Sequence, residues 1–272
     1  MIGQNKFKKD IQEFIERETF PRFSIIVGEE GSGRKEAGKE IANRLGCPYI
    51  VYENKAEDMR DLIELAYSQT KPIVYCIPNY EDMAPGTRSI ILKVCEEVPQ
   101  NAYIIMTAVD RWSILNTLLS RATIFELEDY TDEELEQIAS LNEIDKNLIE
   151  YCKTPGELFS AKDVDLKEFK MFIENVWQNI GLASEGNCLK IGQKLKLKEE
   201  SKGFDIWLFL NGLWSIIEKE IKVGVSKPKL LGLGKLQQQI MNAKRELGLK
   251  YNKTYIIDEL LLRFREVLSG II

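Results

Sequence analysis

Along the first 127 residues, hydrophobic positions follow two different periods in turn. Nearly continuous apolar runs, typical of strands buried on both faces, predict five strands at residues 23–27, 49–53, 73–77, 103–107 and 123–127. Apolar residues at helical spacing predict an opening helix and three helices between the strands, at residues 36–45, 59–69 and 87–98. This alternation indicates an α/β fold in which helices cover both faces of a parallel five-stranded sheet.

After Thr131 the pattern is helical to the end of the chain. Thr131 followed by three acidic residues predicts a helix start. The lysine-rich residues 190–202 are predicted to be a solvated connection between helices. Residues 204–223 are apolar nearly all round the helix axis, so this helix is predicted to be buried. Helical periodicity predicts further helices at residues 132–140 and 143–152, from Pro228 onward, and at 253–269.

Composition and charge narrow the functional classes. The chain has 37 Lys and Arg residues against 43 Asp and Glu residues, and its net charge of −6 argues against a protein that binds DNA alone through a global basic field. No apolar run reaches the roughly 18 residues of a membrane span, and the opening segment lacks the apolar stretch of a signal peptide. We therefore expect a cytoplasmic protein with no membrane contact.

The cysteine and histidine content excludes several kinds of site. The chain has no histidine, which removes Ser-His and Cys-His nucleophile pairs and most transition-metal sites. Its five cysteines are widely spaced, with no CxxC pair. Neither a disulfide framework nor a zinc site is expected, and we predict no metal site.

A glycine-rich turn follows the first predicted strand. Gly28, Gly31 and Gly33 match the spacing of a phosphate-binding loop between a strand and a helix, where backbone N–H groups surround phosphate oxygens. Arg34 stands where a lysine normally reaches the phosphates, and Lys35 replaces the hydroxyl residue that holds Mg²⁺. Two interpretations stay open: a turn kept for its geometry, which we favour, and a loop that still binds ATP or ADP weakly.

The end of the third predicted strand has also lost the groups needed for nucleotide hydrolysis. An ATPase places acidic residues there to orient Mg²⁺ and the attacking water. Pro78 and Asn79 occupy those positions, and neither supplies a carboxylate. Glu81 and Asp82 follow, and we interpret them as turn acids. Since both the metal ligand and the base are missing, we expect negligible hydrolysis by the chain alone.

A third motif keeps the residue types that contact phosphate. Ser120 and Arg121 end a predicted short helix directly before the fifth strand. Arginine is always charged, and its planar fork of N–H donors matches phosphate oxygens. On sequence alone Arg121 is a surface arginine, and only its context suggests a role.

The order of these motifs resembles one family, the AAA+ clamp-loader subunits, and within it the DNA polymerase III delta-prime subunits. The resemblance spans about residues 1–165; the helical remainder is similar in position and pattern only. The segments that carry it are Ile2-Gly3-Gln4, Phe20-Pro21-Arg22-Phe23, the helix beginning Met59-Arg60-Asp61-Leu62-Ile63, Ile90-Ile91-Leu92-Lys93-Val94-Cys95-Glu96-Glu97-Val98-Pro99 and Leu118-Leu119-Ser120-Arg121-Ala122.

The resemblance implies three domains and a division of labour between subunits. It implies an AAA+ P-loop domain over residues 1–128, a helical lid over 129–164 and a helical collar for oligomerisation over 165–272. Family members of this type carry degenerate Walker A and B motifs, and their arginine acts in trans as an arginine finger. That role would fall on Arg121, beside Ser120. The implied partners are gamma/tau-like ATPase and delta-like subunits, the sliding clamp and primer-template DNA, with no cofactor.

Two departures and two alternatives qualify this interpretation. The four-cysteine zinc module common in such subunits is absent, because Cys47 leads straight into the next strand. Glu157 stands in a segment resembling the second sensor motif, where an active ATPase has arginine. One alternative is an ATP-hydrolysing motor that uses Arg34 in place of lysine. The other is a regulatory AAA+-derived module with different partners.

Overall fold

The chain divides into two compact units in the computed structural model, which describes residues 1–201, 203–248 and 251–270. The first unit, called here the sheet unit, contains residues 1–138 and 154–156. The second, called the helical unit, contains residues 139–153 and the described part of 157–272. The three domain boundaries implied by the family resemblance stay a prediction.

The sheet unit is built on five parallel strands in the order β2-β3-β4-β1-β5. The predicted five-stranded parallel sheet is therefore confirmed. The edge strand β2 ends two residues earlier than predicted, as it pairs with β3 alone. The strands are β1 Phe23–Val27, β2 Tyr49–Val51, β3 Ile73–Ile77, β4 Ala102–Ala108 and β5 Thr123–Glu126.

Helices cover both faces of this sheet. On one face of the sheet, alternate residues of β1, β3 and β4 pack against α3 and α4. The residues between them point to the opposite face and pack against α1 and α2, because successive side chains of a strand point to opposite faces. Helix α6 starts where predicted, since the Glu134 N–H donates to Thr131 Oγ1 and the Thr131 N–H to Glu134 Oε2. These helices are α1 Asn5–Glu16, α2 Arg34–Leu45, α3 Ala56–Ser68, α4 Pro85–Glu96, α5 Asn116–Leu119 and α6 Asp132–Leu141.

The helical unit is a bundle in which α10 packs on α8 and α11, and α12 packs on α9 and α11. Side chains on most of the circumference of α10 are buried, as its sequence predicts. None of the helices in the described ranges combines the length and apolarity needed to cross a membrane. The helices are α7 Pro155–Ser160, α8 Leu166–Ile180, α9 Glu185–Glu200, α10 Ile206–Val223, α11 Lys227–Gly248 and α12 Lys253–Ser269.

Two predictions about local structure are wrong. Residues 143–152 form no α-helix, because Glu143 adopts a left-handed backbone and only a 3₁₀ turn, Lys146–Leu148, follows. The supposed connection over 190–202 is mostly the second half of α9; Lys202 itself lies outside the described residues. Cys188, Gly192 and Leu195 lie at helical spacing on its buried side, while Lys190, Lys194 and Lys196 are exposed.

Candidate functional site

The glycine-rich turn joins β1 to α2, as predicted. The Gly28 N–H donates to the Ala108 carbonyl oxygen at 3.1 Å, which anchors the turn to β4. Gly31 and Gly33 adopt φ values of 80° and 87°, a backbone region that side chains with a Cβ rarely occupy. The glycines at these two positions are therefore required by the shape of the turn itself.

Arg34 at the start of α2 points toward the end of β3. Its side chain is only 7% exposed, and its Nη1 lies 3.3 Å from Glu81 Oε1. Its Nη2 donates to Asn79 Oδ1 at 3.2 Å. The other carboxylate oxygen of Glu81 accepts a hydrogen bond from the Val109 N–H at 3.3 Å. A buried guanidinium needs such partners, and here they come from the same chain.

Asn79 is held in place by its backbone as well as by its side chain. Its φ is 52°, its N–H donates to Thr107 Oγ1 at 2.9 Å, and its carbonyl oxygen accepts from Asn54 Nδ2 at 2.9 Å. The Pro78 carbonyl oxygen accepts from the same amide at 2.6 Å. The end of β3 is thus fixed in the position that receives Arg34.

The structure brings Arg34 and Asn79 together and adds a residue that the sequence interpretation missed. Glu81 lies in a 3₁₀ turn, Tyr80–Asp82, but its carboxylate is the main partner of Arg34. The signal for this contact was present in the sequence. An arginine at a buried loop position needs a carboxylate, and Glu81 is the first acid after the strand end.

The outer side of the turn is covered by the chain's own residues. The Tyr130 hydroxyl donates to the Ser32 carbonyl oxygen at 3.0 Å, and the Gly156 N–H donates to the Gly31 carbonyl oxygen at 2.9 Å. A Cβ on Gly31 would lie 2.6 Å from Thr154 Oγ1, so this segment packs closely on the turn. Lys35, one residue into α2, is exposed.

Glu157, in the segment that resembles the second sensor motif, forms its hydrogen bonds inside the helical unit. Its Oε2 accepts from the Lys153 N–H at 2.6 Å, and its Oε1 accepts from Asn211 Nδ2 at 3.1 Å. Both carboxylate oxygens therefore stabilise the local structure around the start of α7 and α10. An acidic group here is also repelled by phosphate.

Ser120 and Arg121 lie at the end of α5, on the surface of the sheet unit. Arg121 Nη1 donates to the Thr117 carbonyl oxygen at 2.7 Å, and its Nη2 lies 3.5 Å from Glu96 Oε1. The Arg121 side chain is 40% exposed and that of Glu96 is 47% exposed. An exposed ion pair of this kind contributes at most about 1 kcal/mol. The guanidinium can therefore exchange this partner for a phosphate at low cost.

Burial keeps the cysteine thiols in their protonated, weakly nucleophilic form. Burial raises the pKa of the Cys76 thiol to about 11 and that of Cys152 to about 12. Burial also raises the pKa of Cys47, Cys95 and Cys188, so all five thiols stay protonated at neutral pH. In the part of the chain that the structure describes, no three Cys, Asp or Glu side chains are grouped to hold a metal ion.

Solved structures identify the fold. Two structures of RuvB mutants from Thermotoga maritima match the chain with a TM-score of 0.50 each, at 19% and 18% sequence identity. They cover 65% and 64% of this chain and the same shares of their own chains. The chain therefore has this fold, a parallel five-stranded sheet covered by helices and followed by a helical region.

Sequence comparisons show similarity to subunits of DNA polymerase III. A sequence profile described as "DNA polymerase III, delta subunit" matches residues 50–131. DNA polymerase III subunit gamma/tau of Mycoplasma pneumoniae is 25% identical over 166 residues, covering 50% of this chain and 24% of the relative. Subunit tau of Bacillus subtilis is 20% identical over 175 residues, covering 53% and 31%. The match thus spans less than a third of these relatives. Over these segments the chain is similar to subunits of DNA polymerase III.

Proposed function

We propose that this chain is a non-hydrolysing, delta-prime-like subunit of a DNA polymerase III clamp loader. It supplies Arg121 in trans to ATP that a neighbouring gamma/tau-like ATPase subunit holds. Together with a delta-like subunit it forms part of the assembly that places the sliding clamp on primer-template DNA in the cytoplasm. Its helical unit serves as the collar that holds the subunits together.

The contact of Arg34 with Glu81 is the observation that carries this proposal. In an active phosphate-binding loop the cation at this position is free to reach the phosphates. Here its charge is already neutralised by Glu81, and leaving this buried guanidinium without its carboxylate costs about 1–3 kcal/mol. Arg34 therefore has little to offer a nucleotide.

The other parts of a hydrolytic site are also missing. Lys35 has no acceptor oxygen for Mg²⁺, and Pro78 and Asn79 supply no carboxylate for the metal or for water. These losses support a subunit that does not hydrolyse ATP. They disfavour the alternative in which Arg34 replaces the lysine of a working motor.

Arg121 supports the second half of the proposal. Its guanidinium is exposed, it lies beside Ser120 at the end of α5, and its partner Glu96 is exposed as well. An arginine finger contributes roughly 10³–10⁵-fold to the rate of phosphoryl transfer. A chain without its own hydrolytic groups can thus control hydrolysis in its neighbour.

The test uses the reconstituted clamp loader with Arg121→Ala and Arg121→Lys. Both variants are expected to assemble normally and to abolish turnover at the one ATP site that this chain adjoins. The lysine variant keeps the charge but loses the planar fork, so it should not restore turnover. Arg60→Ala removes another exposed arginine of the sheet unit and is the matched control, with unchanged turnover expected.

Two results would contradict the proposal. Unchanged ATPase in an assembled Arg121→Ala complex would exclude the arginine-finger role and favour the regulatory module. Magnesium-dependent ATP turnover by the purified chain alone, lost in Arg34→Ala, would favour the active ATPase.

A further inference from the structure

The largest apolar side chain on the surface of the sheet unit is that of Trp112. Its indole is 97% exposed, in the turn between β4 and α5. Leu115, three residues further on, is 44% exposed. Tryptophan is usually buried at least in part, because its ring contributes a large apolar area. A fully exposed indole is therefore a candidate contact for another molecule.

The turn around Trp112 is firmly built. The Ser113 N–H donates to Asp110 Oδ1 at 2.7 Å, and the Ser113 hydroxyl donates to the Asp110 carbonyl oxygen at 2.9 Å. Ile114 is 5% exposed and anchors the far side of the turn in the core. Arg111 forms an ion pair with Glu126 of β5 at 3.2 Å. Because its backbone is already fixed, the indole loses little backbone entropy when it binds.

Trp112 and Arg121 are near the two ends of one short segment. Nine peptide units separate them, so even a fully extended chain would place them no more than about 30 Å apart. The segment is coiled, with hydrogen bonds from Ile114 to Arg111, from Leu118 to Leu115 and from Arg121 to Leu118. A standard interface of about 800 Å² per partner is roughly 32 Å across. A single interface of this size is therefore large enough to include both Arg121 and Trp112.

We infer that Trp112 and Leu115 form an apolar anchor for the ATPase subunit whose ATP Arg121 serves, an inference that rests on the proposed function. The partner would offer an apolar pocket for the indole, next to its nucleotide site. Arg121 then increases the rate of ATP hydrolysis in the partner, and Trp112 increases the affinity between the two subunits. The ion pair of Arg111 with Glu126 lies at the polar rim of this anchor.

The two roles are separated by titrating the purified gamma/tau-type ATPase with full-length chain and following ATP turnover. Trp112→Ala is expected to raise the half-maximal concentration about 10–100-fold with the same plateau. Trp112→Phe should recover most of the affinity. Arg121→Ala should lower the plateau and leave the half-maximal concentration unchanged. Tyr67→Ala removes an aromatic ring that is 60% exposed on α3 of the sheet unit and is the matched control.

The outcomes of this titration distinguish the inference from the proposed function. If Trp112→Ala titrates like the wild type while Arg121→Ala lowers the plateau, the anchor is wrong and the arginine finger stands. If the Arg121→Ala plateau is unchanged, the proposed function falls, and the anchor falls with it.

Acrylamide quenching identifies the occupant of the surface directly. The difference in fluorescence between wild type and Trp112→Phe reports on Trp112 alone, and in the free chain this signal should be fully quenchable. Adding the ATPase subunit should protect it. Protection by primer-template DNA alone, or by raising the concentration of this chain alone, would show a different occupant and overturn the inference.

Discussion

The Arg34 side chain is paired within its own chain. The backbone of the turn keeps the glycine geometry of a phosphate-binding loop, with positive φ at Gly31 and Gly33. The Arg34 guanidinium nevertheless donates to Asn79 and pairs with Glu81 of the same chain. The turn therefore has the backbone geometry of a phosphate-binding loop, while its arginine is already paired within the chain.

A prediction at this scale concerns the ion pair itself. Glu81→Gln should lower the free energy of unfolding by about 1–3 kcal/mol, because Arg34 is left buried without a carboxylate. Glu126→Gln breaks the equivalent but exposed pair with Arg111 and should cost less than about 1 kcal/mol. Urea denaturation of both variants measures the difference.

Comparing Glu81→Gln with the wild type also tests whether the turn binds nucleotide. Millimolar Mg-ATP should raise the melting temperature of the wild type very little and that of Glu81→Gln more, because the unpaired guanidinium then attracts an anion. A rise of several degrees in the wild type would show that its own site binds ATP well.

At the scale of elements, α10 depends on a glycine that allows α8 to approach. A Cβ on Gly212 would meet the Ile173 side chain and lie 3.0 Å from Phe169 Cζ. Gly234, in α11, has open space in the same position. The two glycines are chemically identical and differ only in what surrounds them.

Replacing each glycine by alanine should therefore change the free energy of unfolding in opposite directions. Gly234→Ala should stabilise the protein by roughly 0.5–1 kcal/mol, since alanine is the better helix former. Gly212→Ala should destabilise it by about 1–3 kcal/mol, since the added methyl overpacks the contact with α8. Urea unfolding measures both, and equal stabilisation by the two changes would show that α8 does not constrain α10.

At the scale of the whole molecule, the helical unit is closed by contacts between distant parts of the chain. Glu150 Oε1 accepts a hydrogen bond from the Ser215 hydroxyl at 2.9 Å and pairs with Lys219 on α10. Burial by itself would raise the pKa of Glu150, but the bonds to Lys219 and Ser215 outweigh it and lower this pKa. Residues 139–153 are thereby joined to the bundle.

The lowered pKa gives a pH-dependent prediction. Because the folded-state pKa of Glu150 lies below its value of about 4.5 in the unfolded chain, its stabilising effect is present above that pH and is lost as pH falls. Glu150→Gln should cost about 1 kcal/mol at pH 7 and nothing near pH 3. Glu200→Gln, in an exposed pair with Lys196, is the control and should change neither value. A cost that is the same at both pH values would contradict this role.

Much of the fold was accessible from hydrophobic periodicity. All five strands, the helices of the sheet unit and the buried helix α10 follow from apolar spacing, because burial imposes the periods of two and 3.6 residues. The second half of α9 was missed because Gly192 occupies one of its buried positions and carries no apolar side chain.

The sequence by itself determined which chemical groups the candidate site contains and which it lacks, since the loss of an acceptor at Lys35 or of a carboxylate at Asn79 is a property of residue type. Only the tertiary structure decided where the remaining charges go. The pairs of Arg34 with Glu81 and of Arg121 with Glu96 join residues that are distant in sequence. Such contacts depend on how strands and helices are brought together, so local hydrophobic periodicity does not predict them.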